Sequence, residues 1–195
     1  MSSESHEAHA AATQSAPLAN AFSALDVEEI LRERSWLGPV LHESATQTDV
    51  AQLAAWIEHA AALLGPHASD RNALADLLSL VFQYDAAASL ATPEAQDVMA
   101  RAGAREVIRE LANLVLDGAA MDSEQFKAIV EALKSSTRYR SRELFHPIRL
   151  ALAGRNGEGE LDRVILLLDY AAALPLAAPV KGTRQRMLEF CAALE

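Results

Sequence analysis

The stretch K-S-S-T-R-Y-R-S-R-E-L-F-H-P-I-R-L-A-L-A-G-R-N-G-E-G-E-L-D-R-V-I-L-L-L, Lys134 to Leu168, decides how this chain is read. It opens with a basic run and places Pro147 where a helix can start, because proline suits the first helical position. Arg149 follows inside an otherwise apolar stretch, Ile148-Arg149-Leu150-Ala151-Leu152. Gly154 supplies a stop, since glycine enters the left-handed conformation that ends helices without a Cβ clash. After a glycine-rich turn, Leu161, Val164, Ile165 and Leu168 recur at the spacing of one helix face. The segment therefore predicts a short helix over 147–153, a turn, and a second amphipathic helix from Leu161.

The same periodicity runs through the rest of the chain. Asp26 with Glu29 reads as a capped helix start, and Leu25 and Ile30 as a hydrophobic staple across its first turn; Gly38-Pro39 should end that helix. A second helix is expected over Asp49–Leu64, with Leu53, Trp56, Ile57, Ala60 and Leu64 on one face. A third begins near Ser69 or Asp70 and buries Leu74, Leu77, Leu78, Val81 and Phe82. Thr92-Pro93 opens a short helix that Gly103 ends, and Val107, Ile108, Leu111, Leu114 and Val115 mark the next, closed by Gly118. Asp122 with Gln125 forms a further capping box ahead of Phe126, Ile129, Val130 and Leu133, and Met187, Phe190, Cys191 and Leu194 mark a terminal helix.

No period-2 strand pattern competes with these helices. The expectation is an all-α, multi-helix bundle of about nine helices. Residues 1–20, a mixture of Ala, Ser, Thr, Gln, Glu and His without period, read as a disordered tail ahead of a helical domain over 21–195. The stretch 85–92 is a candidate divide between two helical subdomains, and a single bundle accommodates it equally well.

Composition points the same way. Hydrophobic residues make up 51% of the 195, much of that alanine, while aromatics are 5%, a balance that favours helix over strand. No apolar run approaches the roughly 20 residues that span a bilayer, and the acidic, histidine-containing start lacks the pattern of a secretion signal. A soluble cytoplasmic protein without a membrane partner is expected. The net charge of −10 is unevenly spread. Residues 1–120 hold 6 Lys/Arg against 17 Asp/Glu, giving −11, and residues 121–195 hold 11 against 10, giving +1. Lys134, Arg138, Arg140, Arg142, Arg149 and Arg155 fall in one stretch with Glu143 as its sole acid, and phosphate binding follows such local potential rather than whole-chain charge.

No catalytic constellation emerges. The six histidines include no H-E-x-x-H, and His6 and His9, one turn apart, lie in the tail. Cys191, the single cysteine, excludes an internal disulfide and sits on the apolar side of the last helix, as a small core residue would. Lys134-Ser135-Ser136 and the glycines at 154, 157 and 159 resemble phosphate loops, but neither follows a strand of a nucleotide fold. No metal or cofactor is implied.

The basic run is a stronger candidate. Arg138, Arg140 and Arg142 alternate, with Tyr139 between the first two, so an irregular segment here could meet phosphates while the aromatic stacks on an unpaired base. The alternative is a solvated connector whose arginines pair with the acidic first half. Arg149 must reach solvent, a carboxylate or a ligand, because an unpaired buried charge is very costly, and an intramolecular salt bridge is the commoner of these outcomes.

Leu144, Phe145, Pro147, Arg149, Ala151, Leu152, Gly154, Arg155, Glu160 and Leu161 fall in register with an L-F-x-P-L-R-x-A-L-T-G-R element followed by G-P-E-L. In this the chain resembles the C-terminal anticodon-binding region of bacterial glutamyl-tRNA synthetases. The likeness is in register over about 121–168 and compatible in helix order over about 72–180; it does not extend to 1–68. It implies a helical bundle that reads the anticodon loop, with Arg149 at an anticodon base and Arg138, Arg140, Arg142 and Arg155 near the RNA backbone. The chain departs from the pattern where Glu158-Gly159 stands for Gly-Pro and Ala153 for threonine. With no ATP-binding half in view, the resemblance implies a stand-alone, non-catalytic tRNA-binding protein. The alternative is a protein-interaction module that keeps the scaffold, has lost RNA binding, and docks on a synthetase or another protein.

Overall fold

The computed structural model of the protein describes residues 22–37 and 46–195. The tail over 1–20, the Gly38-Pro39 helix stop, and His6, His9 and His42 lie outside them. Ten α-helices follow one another: α1 (Ala24–Glu33), α2 (Gln47–Leu64), α3 (Arg71–Phe82), α4 (Ala86–Leu90), α5 (Pro93–Met99), α6 (Ala104–Asp117), α7 (Ser123–Ser136), α8 (Ser141–Ala153), α9 (Gly159–Ala172) and α10 (Thr183–Ala193). Nine have seven residues or more, and no strand occurs among the described residues, so the all-α bundle stands. The stretch read as a candidate divide holds α4, which packs against α10 and α5.

Helix starts follow cap chemistry more closely than the first apolar residue. Asp26 is not the cap of α1: Ser23 is, accepting from the Asp26 amide, while the Asp26 carboxylate receives the Ser23 amide at 2.7 Å. Those hydrogen bonds from Ser23 lower the Asp26 pKa. Leu25 is therefore inside the helix and 69% exposed, so it makes no staple with buried Ile30. Thr46 and Asp49 form the same reciprocal box on α2, and Asp70, Asp85, Thr92 and Asp122 cap α3, α4, α5 and α7.

α9 organises the core. Its run Val164-Ile165-Leu166-Leu167-Leu168 is buried throughout, as a helix that is apolar on every side must be. α2, α3 and α8 pack around it, α6 lies beyond α8, and α10 touches α6, α8 and α9. Trp56 is fully buried on α2 and donates its indole N–H to the Leu167 carbonyl at 3.2 Å. Phe82 stacks on Trp36, with centroids 4.4 Å apart, and meets Trp56 edge-on at 6.1 Å.

One buried residue joins three helices. Arg186 of α10 is 0% exposed and has no carboxylate partner among the described residues. Its guanidinium donates instead to the carbonyls of Leu80 and Val81 near the end of α3, Leu152 near the end of α8, and Lys181. Helix C-termini carry partial negative charge and unpaired carbonyls, so a cation satisfies both. The Tyr84 ring lies 4.6 Å from the guanidinium, and the Tyr84 hydroxyl donates to the Ala151 carbonyl at 2.6 Å. Burial brings the Arg186 pKa down to about 10, so it keeps its charge at neutral pH. A cation on an apolar face of α10 beside Met187 and Phe190 was the signal in the sequence for this residue.

Candidate functional site

The basic segment occupies the end of α7, a short connector, α8, and the turn into α9. α8 begins at Ser141, so Pro147 is not a helix start but its seventh residue. An interior proline costs roughly 3 kcal/mol. Every residue from His146 to Ala153 is buried, as is Leu144. Burying Leu144 and Ile148 alone contributes about 1.5–3 kcal/mol each, enough to offset the proline term. The chain enters α8 through Ser141 in the left-handed region, φ +48°, a conformation that costs a non-glycine residue about 1–2 kcal/mol. α8 closes at Gly154 with φ +77°, as its sequence position predicts.

The arginines meet different fates. Arg149 is buried, with its side chain 8% exposed. Its Nε and Nη2 donate to the two carboxylate oxygens of Asp162 at 2.7 and 2.9 Å, and Nη1 donates to the Gly157 carbonyl at 2.8 Å. This bidentate clamp ties α8 to the first turn of α9 and holds the turn between them. The Phe145 ring lies 5.1 Å from the guanidinium, and Glu158 is a further ion-pair partner at 3.8 Å. Arg149 thus already has its carboxylate, in place of the free surface position that contact with an anticodon base requires.

Tyr139 is likewise turned inward. It is 6% exposed, its hydroxyl donates to Glu106 at 3.2 Å, and its ring closes over Gly103. A Cβ on Gly103 would lie 1.9 Å from the Tyr139 ring, and Gly103 has φ +95°, so both space and backbone require glycine. Gly103 begins α6 rather than ending α5. A stacking platform for a base would need Tyr139 exposed, and packing against α6 prevents it. Arg140 turns back on α7, donating to the carbonyls of Lys134, Thr137 and Tyr139 at 2.6, 2.9 and 2.6 Å. It is a C-terminal cap for that helix.

Arg138, Arg142 and Arg155 remain exposed. Arg138 lies 5.5 Å from the Tyr139 ring centre. Arg142 pairs with Glu158 at 3.3 Å, with both side chains mostly in water. Arg155 faces a shallow hollow of about 250 Å³ that it shares with His67, Asp76 and Glu160. The carboxylates that ion-pair with the Lys and Arg side chains of the basic segment come from α7, α9 and the turn before α9, through Glu131, Asp162 and Glu158. Those of α1 are engaged elsewhere, Glu29 and Glu33 both on Arg71 of α3.

Two groups near the segment escaped the sequence reading. His146 is buried on α8, and its Nδ1 lies 3.3 Å from Arg101 Nη1 in the α5–α6 turn. Burial, then the nearby Arg101 charge, lowers the His146 pKa. Asp162 escaped notice because its partner sits thirteen residues earlier, and only the reversal at 154–158 brings them together. Cys191 is half-buried with its thiol pKa pushed up by burial, the reverse of an activated nucleophile.

No helix among the described residues is long and apolar enough to cross a membrane. No curated protein and no solved structure matches the chain. The sequence model of one family, the anticodon binding domain, matches residues 22–170. The match begins at the first described residue, well before position 72 where the synthetase likeness starts, and takes in α1 through most of α9. Covering most of the chain and the helices that build this surface, it shows that the protein belongs to the anticodon-binding domain family.

Proposed function

We propose that this protein is a non-catalytic tRNA-binding module of the kind found at the C-terminus of glutamyl-tRNA synthetases. The observation that carries the reading is the anticodon-binding family match over residues 22–170. The contacts to the RNA backbone are assigned to the exposed guanidiniums of Arg138, Arg142 and Arg155. Arg149, Arg140 and Tyr139 serve by position: the first clamps α8 to α9, the second closes α7, and the third fixes the connector on α6.

Filter binding of the purified protein to unfractionated tRNA across a salt series tests this. Affinity should fall steeply as salt rises, because each phosphate contact releases counterions. The triple variant Arg138→Ala/Arg142→Ala/Arg155→Ala should weaken binding and flatten the salt slope by about two. Absence of tRNA retention at about 50 mM salt overturns the reading.

One observation favours a second reading, a protein-interaction module. Leu25 and Val50 are 69% and 50% exposed, and Val50 lines a hollow of about 210 Å³ with Ala24, Leu53, Ala54 and Ile57, edged by Glu28 and Glu58. An apolar side chain of a helical partner fits such a surface. A pull-down scored for RNA and protein together, repeated with Val50→Asp, decides between them.

A further inference from the structure

The contact between Arg101 and His146 holds more information than its length suggests. A guanidinium has only donors, so His146 Nδ1 must accept and the ring proton sits on Nε2. That Nε2 is buried without a hydrogen-bond partner among the described residues, which works against stability. The arrangement does one thing well: it fastens an exposed guanidinium to a rigid, buried ring. Arg101 has no carboxylate partner among the described residues, so its remaining donors face solvent.

A second guanidinium shares the His146 face of α8. Arg142 lies one turn before His146 on α8, where residues four apart share a face, and its charge, like that of Arg101, bears on the imidazole. Its only anion among the described residues is Glu158, in a pair so exposed that it contributes little. The Glu158 carboxylate shows where an anionic oxygen rests against Arg142, and a phosphate oxygen can take the same place.

We propose that Arg101 and Arg142, beside His146, form a binding site for a backbone phosphate of RNA, with His146 as the positioning residue that aims Arg101 and Glu158 as an internal competitor. The proposal rests on the tRNA-binding reading and adds Arg101 and His146 to it. A phosphodiester is favoured over an acidic peptide because the family match is to an RNA-binding domain.

The test is filter binding of the full chain to unfractionated tRNA over a salt series, with thermal melting of each variant as a folding control. Arg101→Ala should lower affinity about fivefold at low salt and reduce the salt slope by about one. His146→Phe, which keeps a ring but loses the acceptor, should give the same loss and add nothing to Arg101→Ala. His146→Asn, whose Oδ1 stands near the place of Nδ1, should restore binding, which a merely structural role does not predict. Glu158→Gln should raise affinity, a gain that misfolding cannot imitate. Inorganic phosphate alone should not raise the melting temperature; a rise abolished by Arg101→Ala assigns the site to free phosphate and overturns the proposal. If the wild-type protein retains no tRNA, the tRNA reading fails and takes this site with it. If it binds tRNA and Arg101→Ala matches it in affinity and salt slope, the site alone is overturned.

Discussion

Replacing Arg149 by methionine separates a structural clamp from a base-reading side chain. The guanidinium makes three hydrogen bonds of 2.7 to 2.9 Å, two to the Asp162 carboxylate and one to the Gly157 carbonyl. Charge-assisted bonds are worth about 1.5–3 kcal/mol each when measured singly, and their sum is not additive. Breaking a fully buried ion pair costs roughly 3–5 kcal/mol, because the remaining charge loses its compensation. Asp162 is 20% exposed and recovers part of that loss through water, so Arg149→Met should cost about 3 kcal/mol. For a chain of this size each kcal/mol moves the melting temperature by roughly 2–4 °C, giving a fall of roughly 6–12 °C. Calorimetry or urea denaturation reads it, and a double-mutant cycle with Asp162→Asn should give a coupling well above the 0.2–1 kcal/mol typical of exposed pairs. A cost below about 1 kcal/mol together with lost tRNA binding would refute the clamp. It would return Arg149 to the surface as a reader of bases.

The other predictions concern single positions. Arg186→Met should destabilise the protein by more than about 4 kcal/mol in urea unfolding, since it strands carbonyls at the ends of α3 and α8; Arg186→Lys should lose less. Gly159→Pro should stabilise by about 0.4–1 kcal/mol, read as a raised melting temperature, because Gly159 is the first residue of α9 and a Cβ there meets open space. His146 has a folded pKa below its unfolded value of about 6.5, so the unfolded chain binds its proton first as pH falls. Its contribution to stability is complete above that value and declines below it, by at most about 1.4 kcal/mol per pH unit. Comparing urea midpoints of wild type and His146→Phe between pH 7.5 and 5.5 checks this: the wild-type midpoint should fall relative to that of the variant toward acid.

Much of this fold is visible before any coordinates because helix formation is written locally. Apolar residues three and four apart, and hydroxyl or carboxylate caps before them, mark the starts of α2, α3, α5 and α7 within a residue or two of where they lie, and Gly118 marks the end of α6. The errors come where distant contacts outweigh a local signal. Pro147 marks a helix start by itself, yet burial along α8 carries the helix six residues further toward the N-terminus. Asp26 and Ser23 are both competent caps, and the choice of Ser23 puts Asp26 at the third helical position, where its carboxylate answers the cap.

The sequence by itself determined the helical class, the membership of the anticodon-binding domain family over residues 22–170, and the requirement that Arg149 find a counter-charge. It could not say which one. Asp162 is thirteen residues away, Arg101 lies 45 before His146, and Glu106 lies 33 before Tyr139. Each of these contacts exists only after the turns at 154–158 and 100–103 have reversed the chain and α6 has packed on α8. Local periodicity reports which face of a helix leaves water. Whether a cation on that face meets a carboxylate, a row of carbonyls or solvent depends on which other helices pack there, and the tertiary fold alone settles that.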